Sequence, residues 1–97
     1  MRVRLSSNAL NDIRAIAEFI SDRNPDRAVG FADELLDACA EIGQHSLAYP
    51  SRPHWGRGVR ARFYGQYAII FVAKSAVVSI LRVVHAARNL DAVIGDE

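Results

Sequence analysis

The spacing of apolar residues changes character near residue 50, and that change dictates the fold class. Before it, apolar side chains recur every three or four residues. Ala9, Ile13, Ile16, Ala17 and Ile20 draw one stripe, and Ala28, Phe31, Ala32, Leu35, Cys39 and Ile42 draw a second. Such spacing marks amphipathic helices that bury one face. After it, apolar residues alternate with polar ones or run together in β-branched stretches, at Val59 to Tyr64, Tyr67 to Ala73 and Val77 to His85. These read as strands. Neither kind of element can bury its apolar face alone, so the helices must close on the strands.

The punctuation between these segments agrees. Ser6, Ser7 and Asn8 offer N-caps to a first helix expected to end near Arg23. Asn24-Pro25-Asp26 then restarts the chain, with a cap, a proline suited to the first helical position and an acid at the positive helix end. The second helix is expected to run to about Gln44. So short a connection makes the two helices an antiparallel hairpin. Gly30 is expected to mark their close approach. Residues 46–58, with Pro50, Pro53, Gly56 and Gly58, form the one long loop. Gly65-Gln66 and Lys74-Ser75 are the hairpin turns. Ahead of all this, Val3 and Leu5 alternate with Arg2 and Arg4, a short strand at a charged sheet edge. Asn89 to Ile94 is one helical turn or a tail.

The order is β-α-α-β-β-β: an α+β domain with an amphipathic helical hairpin on one face of a small, mainly antiparallel sheet. Tyr67 to Ala73 is almost wholly apolar and belongs at the sheet centre. The sheet's other face is left open, and an open apolar face on so small a chain implies a binding partner. The 97 residues allow one core, hence a single domain over 1–97. With 51% apolar and 24% charged residues, disorder is not expected. The longest uncharged run, Phe63 to Ala73, has 11 residues, too few to span a bilayer. No apolar leader follows Met1, so a cytoplasmic location and no membrane contact are expected. The single Cys39 cannot form an internal disulfide.

The net charge of +1 hides an asymmetry. Residues 1–50 carry 5 basic and 8 acidic side chains, and residues 51–97 carry 7 and 3. No Asp or Glu lies between Glu41 and Asp91. Catalysis by proton transfer would therefore have to use His54, Tyr64, Tyr67, Lys74 or His85. A lone histidine at the end of an apolar strand reads first as structural, with its ring nitrogens hydrogen-bonded there. Trp55 reads as a cap on the core edge. His45, His54 and His85 lack ligand spacing, so neither a metal nor another cofactor is expected. Arg60 and Arg62 share one side of their strand because side chains repeat every two residues. Arg82 is expected to join them across the sheet, with Arg88 beyond, as a hold for an anionic segment.

The last strand and its continuation read Ile80-Leu81-Arg82-Val83-Val84-His85-Ala86-Ala87-Arg88-Asn89-Leu90. This string resembles the C-terminal signature of ParE toxins, in the RelE/ParE superfamily of type II toxin–antitoxin systems. Ala9 to Ile20, Asn24-Pro25 with Ala28, Gly58-Val59-Arg60 and Gly65-Gln66-Tyr67 are similar to other family segments in order and spacing. The resemblance implies the same β-α-α-β-β-β fold. It implies a small ParD-like antitoxin as partner, and contact with operator DNA only through that antitoxin. It also implies DNA gyrase as the target, because ParE members poison gyrase whereas RelE members cut mRNA on the ribosome. Arg60, Arg62, Arg82, His85 and Arg88 are then the expected antitoxin- or target-binding residues. No catalytic residue is expected. A ribosome-dependent endoribonuclease and an inactive, complex-forming relative are the alternatives.

Overall fold

In a computed structural model the described residues are 1–87, so Arg88 and the expected turn at Asn89 to Ile94 lie outside them. The elements are β1 (Arg2–Leu5), α1 (Ser7–Arg23), α2 (Pro25–His45), β2 (Val59–Tyr64), β3 (Tyr67–Lys74) and β4 (Val77–His85). Two short 3-10 turns, Ser46–Ala48 and Pro53–Trp55, shape the loop between α2 and β2. Two side chains delimit the helices. Ser6 Oγ accepts from the Ala9 amide at 3.0 Å. Asn24 Oδ1 accepts from the Arg27 amide at 3.2 Å, while its own amide donates to the Ile20 carbonyl. One residue thus ends α1 and starts α2, and Pro25 needs no donor there.

The sheet order is β1-β4-β3-β2. β1 runs parallel to β4, and the other pairs are antiparallel. The parallel pair is possible because the helical hairpin carries the chain across the sheet between them. β1 is an edge strand and β3 an inner one, as the charge and apolar patterns predict. The main core lies between sheet and helices. It gathers Ile13, Phe31, Leu35, Cys39 and Ile42 of the helices against Ile69, Phe71, Val78, Ile80 and Val83. A second, smaller cluster of Val59, Ala68, Ile70 and Val84 occupies the other sheet face, with Trp55 and Val72 packed on it. That face is less open than expected, because Trp55 covers part of it.

Close approach falls at a different glycine from the one expected. A Cβ on Gly30 would meet only Glu34 Oε2, at 3.7 Å. On Gly43 it would lie 2.6 Å from the Met1 carbonyl oxygen and 2.8 Å from a Val3 methyl. The N-terminal amine donates to the Gly43 carbonyl at 2.9 Å, so β1 is seated directly on the end of α2. Side-chain absence at Gly43 is what permits this contact.

The β3–β4 turn lies one residue later than expected. Its central residues Ser75 and Ala76 have φ of 54° and 62°. Positive φ at both positions is the geometry in which Asn-Gly is preferred, and other residues adopt it at a cost. Replacing Ser75-Ala76 with Asn-Gly is expected to stabilise the fold by about 1–2 kcal/mol. A higher urea midpoint with an unchanged m-value is the measurement that checks it.

Candidate interaction surface

β1 pairs with β4 only from Val77 to Ile80, yet β4 continues to His85. Beyond Ile80 one edge of β4 stays paired with β3, and the other, past the end of β1, faces α1. Ser6 Oγ donates to the Leu81 carbonyl at 2.8 Å. Asp12 then takes over the edge. Its Oδ2 accepts from the Val83 amide at 2.9 Å and from Arg82 Nε at 2.7 Å. Its Oδ1 accepts from an Arg82 terminal nitrogen at 3.0 Å. This two-pronged arrangement is the geometry in which an Arg–carboxylate pair is strongest. Asp12 is not among the residues expected from the sequence to carry a role. The available signal was its position beside Ile13 on the buried stripe, where an acid requires a partner.

Arg60 and Arg62 also turn inward. Arg62 donates to the Ala38 carbonyl at 2.7 Å and pairs with Glu41 at 2.9 Å. Arg60 donates to the Tyr49 carbonyl at 2.8 Å. Both therefore lie on the helix side of the sheet and tie β2 to α2 and the turn after it. The expectation that Arg82 joins them across the sheet is corrected by the register. Arg82 stands opposite Ile70, and Ile70 opposite Ala61. Ala61 points away from the side shared by Arg60 and Arg62. A register shift between Ile70 and Phe71, with Leu81 as the extra residue, adds to the separation.

The titratable candidates are equally dispersed. His85 accepts from the Ala87 amide at Nδ1, 3.1 Å away, which makes Nε2 the protonated nitrogen facing Gln66 Oε1 at 3.2 Å. Tyr67 packs edge-on against this ring at 5.4 Å. Lys74 stands opposite Val77, at the far end of the same strand pair. Seven residues of strand place it roughly 23 Å from His85. Tyr64 donates to Glu34 Oε1 at 2.8 Å. The Arg27 guanidinium and then this hydroxyl hold the Glu34 carboxyl below the usual carboxylate range, and the same bond raises Tyr64. His54 lies tilted against Trp55 in the loop, ring centres 5.0 Å apart. Among the described residues, no three His, Cys, Asp or Glu side chains are grouped to hold a metal. Cys39 is buried, and burial pushes its thiol up to about 11.

Two of the exposed apolar regions among the described residues adjoin the sheet. A groove of about 520 Å³ runs between α1 and the end of β4, lined by Ile16, Phe19, Tyr67, Val83 and His85 among others. Phe19 is 53% exposed at its rim. On the opposite sheet face Phe63 is 47% exposed, beside the Trp55 turn.

The element order, the parallel pairing of the first and last strands and the helical hairpin on one sheet face define a two-layer α+β domain. The chain belongs to the ParE toxin family: the family model described as the ParE toxin of the type II toxin–antitoxin system parDE matches residues 3–90. Among solved structures it is similar to the chromosomal ParDE TA system from P. aeruginosa. The TM-score is 0.75 at 20% identity, over 88% of this chain and 95% of that one, a likeness of fold. No curated protein matches the chain. No described helix is long and apolar enough to cross a membrane.

Two outcomes follow from the buried polar groups. Asp12→Ala leaves Arg82 and the Val83 amide without this acceptor and is expected to cost about 2–3 kcal/mol of unfolding free energy, measured by denaturant titration. The Cys39 thiol produces an alkaline effect of definite sign. Folded and unfolded chains both hold the proton below the unfolded thiol's pKa of about 8.5. Above it only the folded chain does, so stability falls by up to about 1.4 kcal/mol per pH unit. That loss continues until the folded thiol titrates near about 11. In Cys39→Ala this part of the slope is expected to vanish from the pH dependence of the urea midpoint.

Proposed function

We propose that this chain is the toxin of a type II toxin–antitoxin pair, that it acts in the cytoplasm as a poison of DNA gyrase, and that a small ParD-like antitoxin neutralises it. The observation that carries this reading is the family match over residues 3–90. The dispersal of the titratable groups supports it. An RNA-cleaving site needs a base, an acid and cations around one phosphate. Here His85 has both ring nitrogens bonded, Lys74 is a strand-length away, and Arg60, Arg62 and Arg82 bind the protein's own carbonyls and carboxylates. A poison needs only a surface that fits its target.

The antitoxin is proposed to cover the groove between α1 and β4, whose apolar lining and exposed Phe19 favour a segment that orders on binding. Of the five residues expected to bind a partner, His85 lines this groove, and Arg88 follows it in the chain. The antitoxin in turn would bring the complex to operator DNA. Arg60, Arg62 and Arg82 are proposed to serve recognition indirectly, by holding the helices that wall the surface.

Induced expression separates the readings. Cells are expected to stop dividing, filament and show a DNA-damage response. Purified chain with gyrase and ATP is expected to accumulate cleaved DNA, while mRNA on translating ribosomes stays whole. Codon-positioned mRNA cuts, reduced about 10²- to 10⁴-fold by His85→Ala in a folded variant, would establish an endoribonuclease of the RelE type instead. Unimpaired growth with antitoxin still bound would mark an inactive, complex-forming relative.

A further inference from the structure

The loop from Pro50 to Gly58 is a built surface with its own chemistry. Its first residues pair with β2: Arg52 N–H donates to the Val59 carbonyl at 2.7 Å, Ala61 N–H donates to the Pro50 carbonyl at 3.1 Å, and Ser51 bridges Arg60. A tight turn follows, closed by bonds from Trp55 to the Arg52 carbonyl and from Gly56 to the Pro53 carbonyl. Trp55 is anchored on the outer cluster of Val59, Ala68, Ile70 and Val84. The loop is therefore ordered before any partner arrives, which removes part of the entropy cost of binding.

On this scaffold cations and aromatic rings alternate. The Arg52 guanidinium lies 5.9 Å from the Trp55 ring centre and 5.8 Å from that of Phe63. The His54 ring lies tilted against Trp55, with ring centres 5.0 Å apart. Phe63 is 47% exposed, and Arg57 is exposed beside the turn. Among the described residues, the charge around this platform is of one sign. All eight carboxylates of residues 1–87 belong to α1 and α2, on the opposite face of the sheet, and residues 42–90 contain none.

We infer that the platform of Arg52, Trp55, Arg57 and Phe63 binds single-stranded nucleic acid. An unstacked base would lie on the exposed face of Phe63, and the neighbouring phosphates would meet Arg52 and Arg57. Guanidinium groups interleaved with aromatic faces are the combination that holds unpaired strands, because every base offers a π-face and every linkage a charge. An acidic peptide would use the two arginines and leave the exposed ring without a role. Duplex DNA would keep its bases stacked and out of reach of Phe63. This inference does not rest on the gyrase reading, since binding by the purified chain is measured without reference to toxicity.

Trp55 is the single tryptophan of the chain and reports directly on its own platform. The full chain is titrated at low salt with an oligothymidylate of about 20 nucleotides, following Trp55 fluorescence. Saturable quenching is expected, with an affinity that falls steeply as salt is raised. Arg52→Gln with Arg57→Gln should weaken binding about 10-fold or more and flatten the salt dependence. Phe63→Leu should weaken it about 5- to 100-fold with little change in salt dependence. Arg14→Gln, exposed on α1 across the sheet from the platform, should bind as the parent does. Far-UV circular dichroism confirms that each variant is folded, and Arg57→Gln alone, at an exposed position, provides a second reading. Absence of quenching, undiminished quenching in the folded double arginine variant, or binding of polyglutamate while the oligonucleotide is inert would each overturn the proposal.

Discussion

The Asp12 carboxylate is the contact on which the arrangement of this small domain turns. β1 is four residues long and β4 nine, so half of β4 would present an open edge. Unpaired strand edges are hazards that a fold must cover. Here α1 covers the edge from its first turns, with Ser6 on the Leu81 carbonyl and Asp12 on the Val83 amide. Because Asp12 also clasps Arg82, the helix is held at a defined height along the strand. Ile13, the next residue, is thereby directed into the core. The groove beside Phe19 is bounded by these same two elements, so its shape depends on the clasp.

A second consequence concerns charge. A chain with 11 arginines and one lysine invites a search for an anion-binding face. Three of the expected arginines instead act as long-range ties, each reaching a backbone carbonyl or a carboxylate on another element. Arg suits this use because its fork makes several directed bonds while its stem packs against apolar neighbours. Arg62, for example, passes between the Tyr49 and Tyr64 rings on its way to Ala38 and Glu41. Among the described residues the exposed arginines are Arg2 and Arg4 of the β1 edge, Arg14, Arg23 and Arg27 of the helices, and Arg57 of the loop before β2.

Much of the fold was legible before any coordinates. The stripes through Ile13 and Leu35, the Asn24-Pro25 break and the β-branched runs locate the two α-helices and four strands of the described residues to within a few residues. These are local signals, carried by period and by cap chemistry, and they survive whatever the rest of the chain does. The position of the close-packed glycine was not legible. Gly30 and Gly43 both sit inside one helix, and only the docking of Met1 and Val3 distinguishes them. The left-handed pair Ser75-Ala76 was also hidden, because neither residue is a turn former of the kind that signals positive φ.

The candidate site divides along the same line. Sequence alone determined that no acid lies between Glu41 and Asp91, that one histidine ends the last strand, and that the C-terminal string is of ParE type. Periodicity also showed that Arg60 and Arg62 share one side of a strand, since that needs only a two-residue repeat. It could not show which side. The sheet face toward the helices was chosen by Phe71, Ile69 and their neighbours, whose burial outweighs the placement of two arginines. Once that face was chosen, Arg60 and Arg62 met the carbonyls of Tyr49 and Ala38, Arg82 met Asp12, and Phe63 was left outside with Arg52 and Trp55. Which charges are bound internally and which remain for a partner is a property of residues distant in sequence, and only the tertiary structure brings them together.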